Sequence, residues 1–594
     1  MAMRDKIEHA IQNQPCTVKD LKSKFGGDRG SDRKVMEAVD QLVHEAVICQ
    51  RQGVFFTVRS GRADKALLCK VVKLGKNFAF VMLEDGTSDI FIPGRFTRGA
   101  MPGDKVLVEK FEHPRVEGSD EGEILAVLEE KNDLVGTVRR VEGMLKFVPD
   151  DCPAISMRMM RDCEGGAKDG DKVAVEILQR GNRQEDHRVG VAMRFGSSDE
   201  AKRCAKALLY AQDIRSRFPD KVREEAKKLE NAEVTEADCE GRMDLRALPI
   251  FTIDSAETKD IDDAISLTKT PEGGFELGVH IADVSHYVKP GSELDNEAFH
   301  RATSVYYADQ VVPMLPEALS NGICSLNPQV DRLALSCIMT MDGHGAMLGH
   351  KLAKTVIRST ERMTYEDCNL LLEDQSPELA ARYAHILPML RDMAGLARTL
   401  EKKRRARGAL DLESRECYIV CDADGLPVDI RVRESGTSER LIESFMLAAN
   451  ECVAEHLQKA ALPAVYRVHE KPSADKATNL KAMLAPLGFA LREADNGSLQ
   501  KVLDAARGTP QAPAIHTMVL RSLMKARYDV QNLGHFGLAA KYYCHFTSPI
   551  RRYPDLMVHR ILTALLDGRL SGGVERRLAA AVQKAAVQSS QREL

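Results

Sequence analysis

In 594 residues no apolar run approaches the roughly 18 that a membrane-spanning helix needs, so that architecture is excluded. No apolar segment follows the opening Met1-Ala-Met-Arg-Asp-Lys either, and no secretory signal is expected. No Cys-x-x-Cys occurs. The fourteen cysteines are scattered from Cys16 to Cys544, with Cys417 and Cys421 the closest pair, which argues against a disulfide framework. Reduced cysteines in a cytoplasmic protein are expected. A basic excess is also missing: net charge is −4, which by itself does not announce a nucleic-acid partner. Global charge misleads when an acidic site offsets basic grooves, so local balance decides. From Lys541 to Leu594 nine Lys and Arg face four Asp and Glu, a local positive excess. The run Lys402-Lys403-Arg404-Arg405-Ala-Arg407 is a second basic patch, readable as a solvated helix end or as an RNA contact.

What is present is an ordinary globular balance, 44% hydrophobic and 29% charged, in a chain too long for one core. Several domains follow. Residues 1–60 read as helices and a hairpin: Ile7, Ala10 and Ile11 share a helical face, Thr17 caps Val18 to Phe25, and a third helix runs Val35 to Val47. "AVICQRQGVFFTV" alternates and turns at Gln52-Gly53, like the wing of a winged helix. Residues 65–131 carry short strands with Phe78, Phe80 and Phe91 at period-two spacing, as in a cold-shock or OB-type barrel. Such aromatics can stack bases, although at least one is expected to fill the barrel. Residues 132–196 repeat the pattern without the Phe-x-Phe pair. The shared Gly-Ala-x-x-Gly-Asp-Lys-Val makes this an internal repeat and a weaker RNA-binding candidate. A charged helical connector (197–243) leads to the largest unit, 244–594, with strands first and long helices such as Glu439 to Lys459 later.

Chemistry concentrates in "FTIDSAETKDIDDAISL". Asp254 ends a β-rich run, and Asp260, Asp262 and Asp263 follow within ten residues. Carboxylates packed this closely repel one another unless a cation or solvent offsets the charge. Mg²⁺ prefers hard oxygen ligands and keeps positions open for water and phosphate. An exposed acidic loop would show the same spacing. An EF-hand would not, since the internal Gly and the terminal Glu are missing. Apolar flanks, Phe251-Thr-Ile253 before and Ala264-Ile265 after, bring at least part of the cluster to a core.

Thr252 to Asp263 resembles the active-site signature of the ribonuclease II/ribonuclease R family, the RNB domain. Further matches follow in family order: "HIADVSHYV" (280–288), "RATSVYYADQVVPMLPEALSNGICSLNP" (301–328), "YRVHEKPS" (466–473), "GHFGLA" (534–539) and "HFTSPIRRYPDLMVHR" (545–560). The likeness is closest to the bacterial ribonuclease R branch. It implies a multidomain α+β protein: a winged helix, two OB-type barrels and a large α+β RNB catalytic domain. It also implies a Mg²⁺-dependent exoribonuclease that shortens single-stranded RNA from the 3′ end, releasing nucleoside 5′-monophosphates. By the same resemblance Asp254, Asp260, Asp262 and Asp263 surround the metals, with Asp262 and Arg551 catalytic. Tyr306 stacks near the 3′-terminal nucleotide, Tyr365 and Glu443 line the same end of the channel, and Arg552 anchors backbone phosphate.

Two positions depart from the pattern. Leu412, in "RGALDLE", stands where a second stacking aromatic is expected, and an aliphatic wall stacks less well. The chain also ends at "SSQREL", before the rest of the final RNB helix and the family's C-terminal S1 domain, so the RNB domain is expected to be incomplete. The alternatives are a non-catalytic RNA-binding protein and an RNB domain impaired by that truncation. No protein partner is identifiable from the residues, and no membrane association is expected.

Overall fold

The computed structural model describes residues 3–44, 47–51, 54–57, 66–83, 89–114, 120–307, 310–374, 376–412, 416–422, 425–433 and 435–593. It divides into two compact units, Met1–Ser216 and Arg217–Leu594. No helix among the described residues is long and apolar enough to cross a membrane.

The first unit opens with α1 (Met3–Asn13), β1 (Cys16–Thr17), α2 (Val18–Phe25), α3 (Arg29–His44), β2 (Ile48–Arg51) and β3 (Val54–Thr57). Thr17 caps α2 through a capping box with Asp20. α3 starts six residues before the expected Val35, because the Asp28 carboxylate accepts the amides of Gly30 and Ser31 and caps it there. The strands form a sheet in the order β1-β3-β2 over a core that includes Ile7, Leu21, Val35 and Leu42. The expected turn at Gln52-Gly53 lies outside the described residues.

Two small β domains follow. In the first, β4 (Leu67–Gly75), β5 (Phe78–Leu83), β6 (Asp89–Pro93), β7 (Lys105–Lys110) and β8 (Gly122–Glu129) are ordered β6-β5-β4-β7-β8. A bridge between Phe91 and Glu121 brings the two edges together. Alternation sends Val71, Ala79, Val81, Ile90 and Ile92 inward. Phe78, Phe80 and Phe91 therefore all stand on the other face, half-buried and touching one another at 5.5–5.8 Å between ring centroids. The expectation that one of them fills the barrel is corrected, since small and β-branched neighbours already fill it. The second domain is a closed barrel of β9 (Asp133–Val141), β10 (Met144–Pro149), β11 (Met157–Met159), β12 (Asp171–Gln179) and β13 (Arg188–Ser197).

The repeated Gly-Ala-x-x-Gly-Asp-Lys-Val has one structural cause. In each copy the Asp accepts the amide three residues back, Asp104 from Met101 at 2.8 Å and Asp171 from Lys168 at 2.7 Å, closing the turn. An arginine clasps each carboxylate: Arg180 on Asp104 at 2.6 Å and Arg194 on Asp171 at 2.7 Å.

The connector is not one helix. α4 (Ala201–Ala211) ends before Pro219, which precedes α5 (Asp220–Lys227), and the boundary between the units falls in this break. α5 and α6 (Glu236–Cys239) already belong to the second unit. Its sheet contains β14 (Met243–Asp244), β15 (Ile250–Asp254), β16 (Asp263–Lys269), β17 (Phe275–Ala282), β20 (Asp331–Met341) and β21 (Met347–Thr364); the short hairpin β18 (Val305–Tyr307) and β19 (Gln310–Val312) stands apart. The order is β14-β21-β15-β16-β17-β20, and β20 pairs with the 18-residue β21 as well, so the sheet closes on itself. Between β17 and β18 run α7 (Val284–Tyr287) and α8 (Glu293–Arg301). After β21 come α9 (Tyr365–Asn369), α10 (Pro377–Arg382), α11 (Leu387–Arg407) and α12 (Thr437–Lys459). Leu441, Phe445 and Ala449 of α12 are buried against the sheet's apolar face, with Met393 and Ala394 of α11 in the same core.

Candidate active site

Asp254 is the last residue of β15 and Asp263 the first of β16. These strands are antiparallel neighbours, so the loop 255–262 is a hairpin connection and all four aspartates collect at one end of the closed sheet. Apolar flanks make this happen: Phe251, Ile253, Ile261 and Ala264 are buried and draw the loop's ends into the core.

Distant segments then fix the loop. Ser325 Oγ accepts the Ile261 amide at 3.1 Å and donates to Lys259 O at 2.7 Å. Leu326 N donates to Ile261 O at 3.0 Å. Arg362, on β21, sends Nη2 toward three carbonyls, those of Ser255 (3.5 Å), Ala256 (3.0 Å) and Thr258. Asp262 Oδ1 accepts the Ile550 amide at 2.9 Å, joining the loop to "HFTSPIRRYPD".

That second segment is itself clamped. Asp555, fully buried, accepts the Ser548 amide at 2.8 Å and two bonds from Arg552, each at 2.8 Å. Ser548 Oγ in turn accepts from Arg551 Nη2 at 3.1 Å. Arg551 Nε stands 3.8 Å from Asp262 Oδ2, and its side chain is 44% exposed. Tyr306 stands close enough to Arg551, Asp260 and Asp262 to feel their charges, and Ser304 N donates to Arg551 O at 3.0 Å. The tyrosine ring is 55% exposed, available to a flat partner rather than committed to the core.

The electrostatics are those of uncompensated negative charge. Burial, with the charges of Asp263 and Asp260, pushes Asp254 up to about 8, against the opposing pull of Arg362 and Arg551. Burial raises Asp263 to about 6. Asp260 is raised for the same reason, and Asp262 well above the usual carboxylate range, with Arg551 and the Ile550 amide working against burial. Asp254 Oδ2 is buried with no hydrogen-bond partner. Hard oxygens, mutual repulsion and an orphaned carboxylate oxygen fit a divalent cation. Among the described residues no three His, Cys, Asp or Glu side chains are placed to hold an ion by themselves. A cation here would draw part of its shell from water or phosphate, as Mg²⁺ does.

The remaining expected site residues differ in how the fold places them. Tyr365 opens α9 directly after Thr364, the partner of Asp254 in the strand ladder, so it lies at the same sheet end. Glu443 is exposed on α12, its carboxyl raised by the desolvation of surrounding protein and opposed by Arg404. Leu412 packs with Leu410 and Phe536 against a satellite core around Leu480, Leu499 and Ile515. Arg552, expected on phosphate, has its Nε and Nη2 committed to Asp555. The basic run 402–407 is partly spent inside the chain: Arg405 pairs with Asp411, and Arg407 with Glu451 at 2.7 Å.

Two features went unread in the sequence. One is Arg362, whose carbonyl partners lie more than a hundred residues away. The other is a row of cations across four strands of the second barrel. Strand register places Arg139 opposite Lys146, Lys146 opposite Arg158, and Arg158 opposite Arg188. Val138, Phe147, Met157 and Val189 alternate with them and are buried, so the row faces outward. Among the described residues its one ion pair is Lys146–Glu142, at 3.4 Å.

Known proteins match on this scale. A family model described as "RNB domain" covers residues 242–568, and one described as "Ribonuclease B OB domain" covers 70–127. Ribonuclease R 1 of Lactococcus lactis is 39% identical over 533 residues, 87% of this chain and 65% of that protein. Ribonuclease R of Thermotoga maritima is 39% identical over 569 residues, 93% of this chain and 78% of that one. The apo form of Mycoplasma genitalium RNase R superposes with a TM-score of 0.81 at 29% identity, covering 89% of this chain and 84% of that one. Its complex with ribose methylated single-stranded RNA superposes with a TM-score of 0.80.

Proposed function

Because this chain belongs to the RNB-domain family of ribonuclease R, we propose that it is a 3′-to-5′ exoribonuclease that hydrolyses single-stranded RNA to nucleoside 5′-monophosphates, in the cytoplasm. The observation that carries this reading is the four-aspartate loop held against Arg551 and Tyr306, with Asp254 Oδ2 buried and unpartnered. The relatives' RNA chemistry supports it, although the chain spans only 65% of the Lactococcus protein's length.

Asp254, Asp260, Asp262 and Asp263 would hold divalent cations, Mg²⁺ by the hardness of their oxygens, which when bound supply an acidified water and charge relief on the phosphate. The chain's own residues do the rest. Arg551, its head exposed, donates to the phosphate oxygens as charge develops there. Asp262, held by the Ile550 amide, keeps one oxygen toward that arginine and orients it. Tyr306 stacks on the terminal base and sets its distance from Arg551. Tyr365, Glu443 and Leu412 are assigned to the walls around the last nucleotides. Arg552 acts on phosphate through Nη1, since Asp555 takes its Nε and Nη2. Phe78, Phe80 and Phe91 form a stacking platform, and the cation row of the second barrel follows the backbone.

This assigns a winged helix to residues 1–60, cold-shock barrels to 65–131 and 132–196, a connector to 197–243 and the catalytic domain to 244–594. The test is 5′-labelled single-stranded RNA incubated with protein and Mg²⁺, with products resolved over time. Progressive 3′ shortening with release of 5′-monophosphates, abolished by chelation, is the expected result. Internal fragments, or full activity in excess chelator, would overturn it; binding without cleavage would make the protein a non-catalytic RNA binder.

A further inference from the structure

The loop that carries the aspartates has little regular structure of its own to hold its shape. Its first half, 255–258, offers three carbonyls on one side, and a single guanidinium gathers them: Arg362 Nη2 meets Ser255 O, Ala256 O and Thr258 O. Arg362 reaches them because parallel pairing sets it opposite Thr252, and Thr364 opposite Asp254. Alternation then puts Thr252, Asp254 and Arg362 on the same face of the sheet. The guanidinium is thus both the loop's tether and a positive charge acting on Asp254, whose Oδ2 is buried with no hydrogen-bond partner. All three contacts come from one nitrogen, whose direction the planar head fixes, where an ammonium on a flexible stem would be free to turn away.

We propose that Arg362 is the positioning residue of the cation site: by holding the 255–258 carbonyls it sets the spacing between Asp254 and Asp260, and so the affinity for divalent metal. It touches neither substrate nor the reacting atoms, and its effect passes through the aspartates. This rests on the metal reading above. Losing an outer-shell partner of this kind costs roughly 10- to 100-fold in metal affinity.

The test measures Mg²⁺ affinity by calorimetry and Mn²⁺ affinity by electron paramagnetic resonance on the full chain, without RNA. Amide exchange over 255–260 and melting temperature are followed on the same samples of wild type, Arg362→Ala and Arg362→Lys. Arg362→Ala is expected to bind either cation about 10- to 100-fold more weakly, and to exchange faster at 255–260 alone. Its melting temperature in chelator should stay near wild type. Arg362→Lys, which keeps the charge but not the planar head that aims Nη2, should fall between the two. Wild-type cation affinity in folded Arg362→Ala overturns the proposal. Should that variant not fold, Arg362→Lys decides: weakened binding at a native melting temperature supports the proposal, and unchanged binding overturns it. Absence of cation binding by the wild type would sink the metal reading itself, a distinct failure.

Discussion

The two oxygens of Asp262 have different neighbours, the Ile550 amide at 2.9 Å on Oδ1 and Arg551 Nε at 3.8 Å on Oδ2. Asp262→Asn can keep the first contact through its amide oxygen, but then turns an NH₂ toward the guanidinium. The fold should therefore survive, and with one buried charge fewer the metal-free protein should melt no lower than wild type. Turnover should fall by at least about 100-fold, the scale of a positioned catalytic group. Single-turnover cleavage and melting on one preparation check this, and wild-type cleavage would refute the assignment. The adjacent arginines should separate in the opposite way. Arg551 is 44% exposed and its removal should cost turnover with little change in melting. Arg552 lies on the fully buried Asp555, so Arg552→Ala strands a buried carboxylate and should destabilise by about 3–5 kcal/mol. Equal melting of the two alanine variants would contradict this division.

At the scale of elements, the cation row of the second barrel makes a prediction of mixed sign. Like charges directly opposite one another on neighbouring strands are destabilising, by roughly 0.2–1 kcal/mol per pair. A barrel that keeps Arg139, Lys146, Arg158 and Arg188 in register bears that cost in the absence of a polyanion. Replacing Arg139 and Arg158 by Gln should thus raise the melting temperature while weakening RNA binding. With about 0.7 of salt slope per phosphate contact on single strands, two lost contacts should flatten the slope by about 1.4. Anisotropy titrations at several salt concentrations measure it, and an unchanged slope would remove the row from the RNA path. This row also marks the limit of what the sequence conveys. Periodicity was enough for α2, for α12 to within two residues, and for the repeated barrels, because those signals are local. The aspartate loop was legible for the same reason: its four carboxylates and apolar flanks are contiguous. Arg139, Lys146, Arg158 and Arg188 become a row only through register, Arg362 reaches the loop only through the pairing of β15 with β21, and Ser325 only through tertiary packing. The direction of the three phenylalanines depended on which neighbours filled the barrel, and Ala79, Val81, Ile90 and Ile92 took that place.

For the molecule as a whole, the aspartate site ties stability to pH and to metal in a way that can be signed. In the metal-free protein Asp254 is raised from an ordinary 3.8 to about 8, and Asp263 to about 6. Between these values and 3.8 the folded state holds protons that the unfolded chain has released, so stability must fall as pH rises. The contribution is fully present below about pH 3.8 and is lost by about pH 8. Asp254→Asn removes its share: in chelator the variant should match wild type near the acid end and melt higher than wild type near pH 8. A divalent cation reverses the trend, since it binds the ionised carboxylates and competes with their protons. A cation at 100 times its dissociation constant stabilises by about 2.7 kcal/mol. That gain should be nearly complete at about pH 8 and mostly lost at about pH 5, where protons occupy the site. Melting curves of wild type and Asp254→Asn, with Mg²⁺ and with chelator across this range, carry the test. A Mg²⁺-induced rise in melting temperature that is the same at both ends, or the same in both proteins, would mean that the ion stabilises the chain somewhere other than at Asp254.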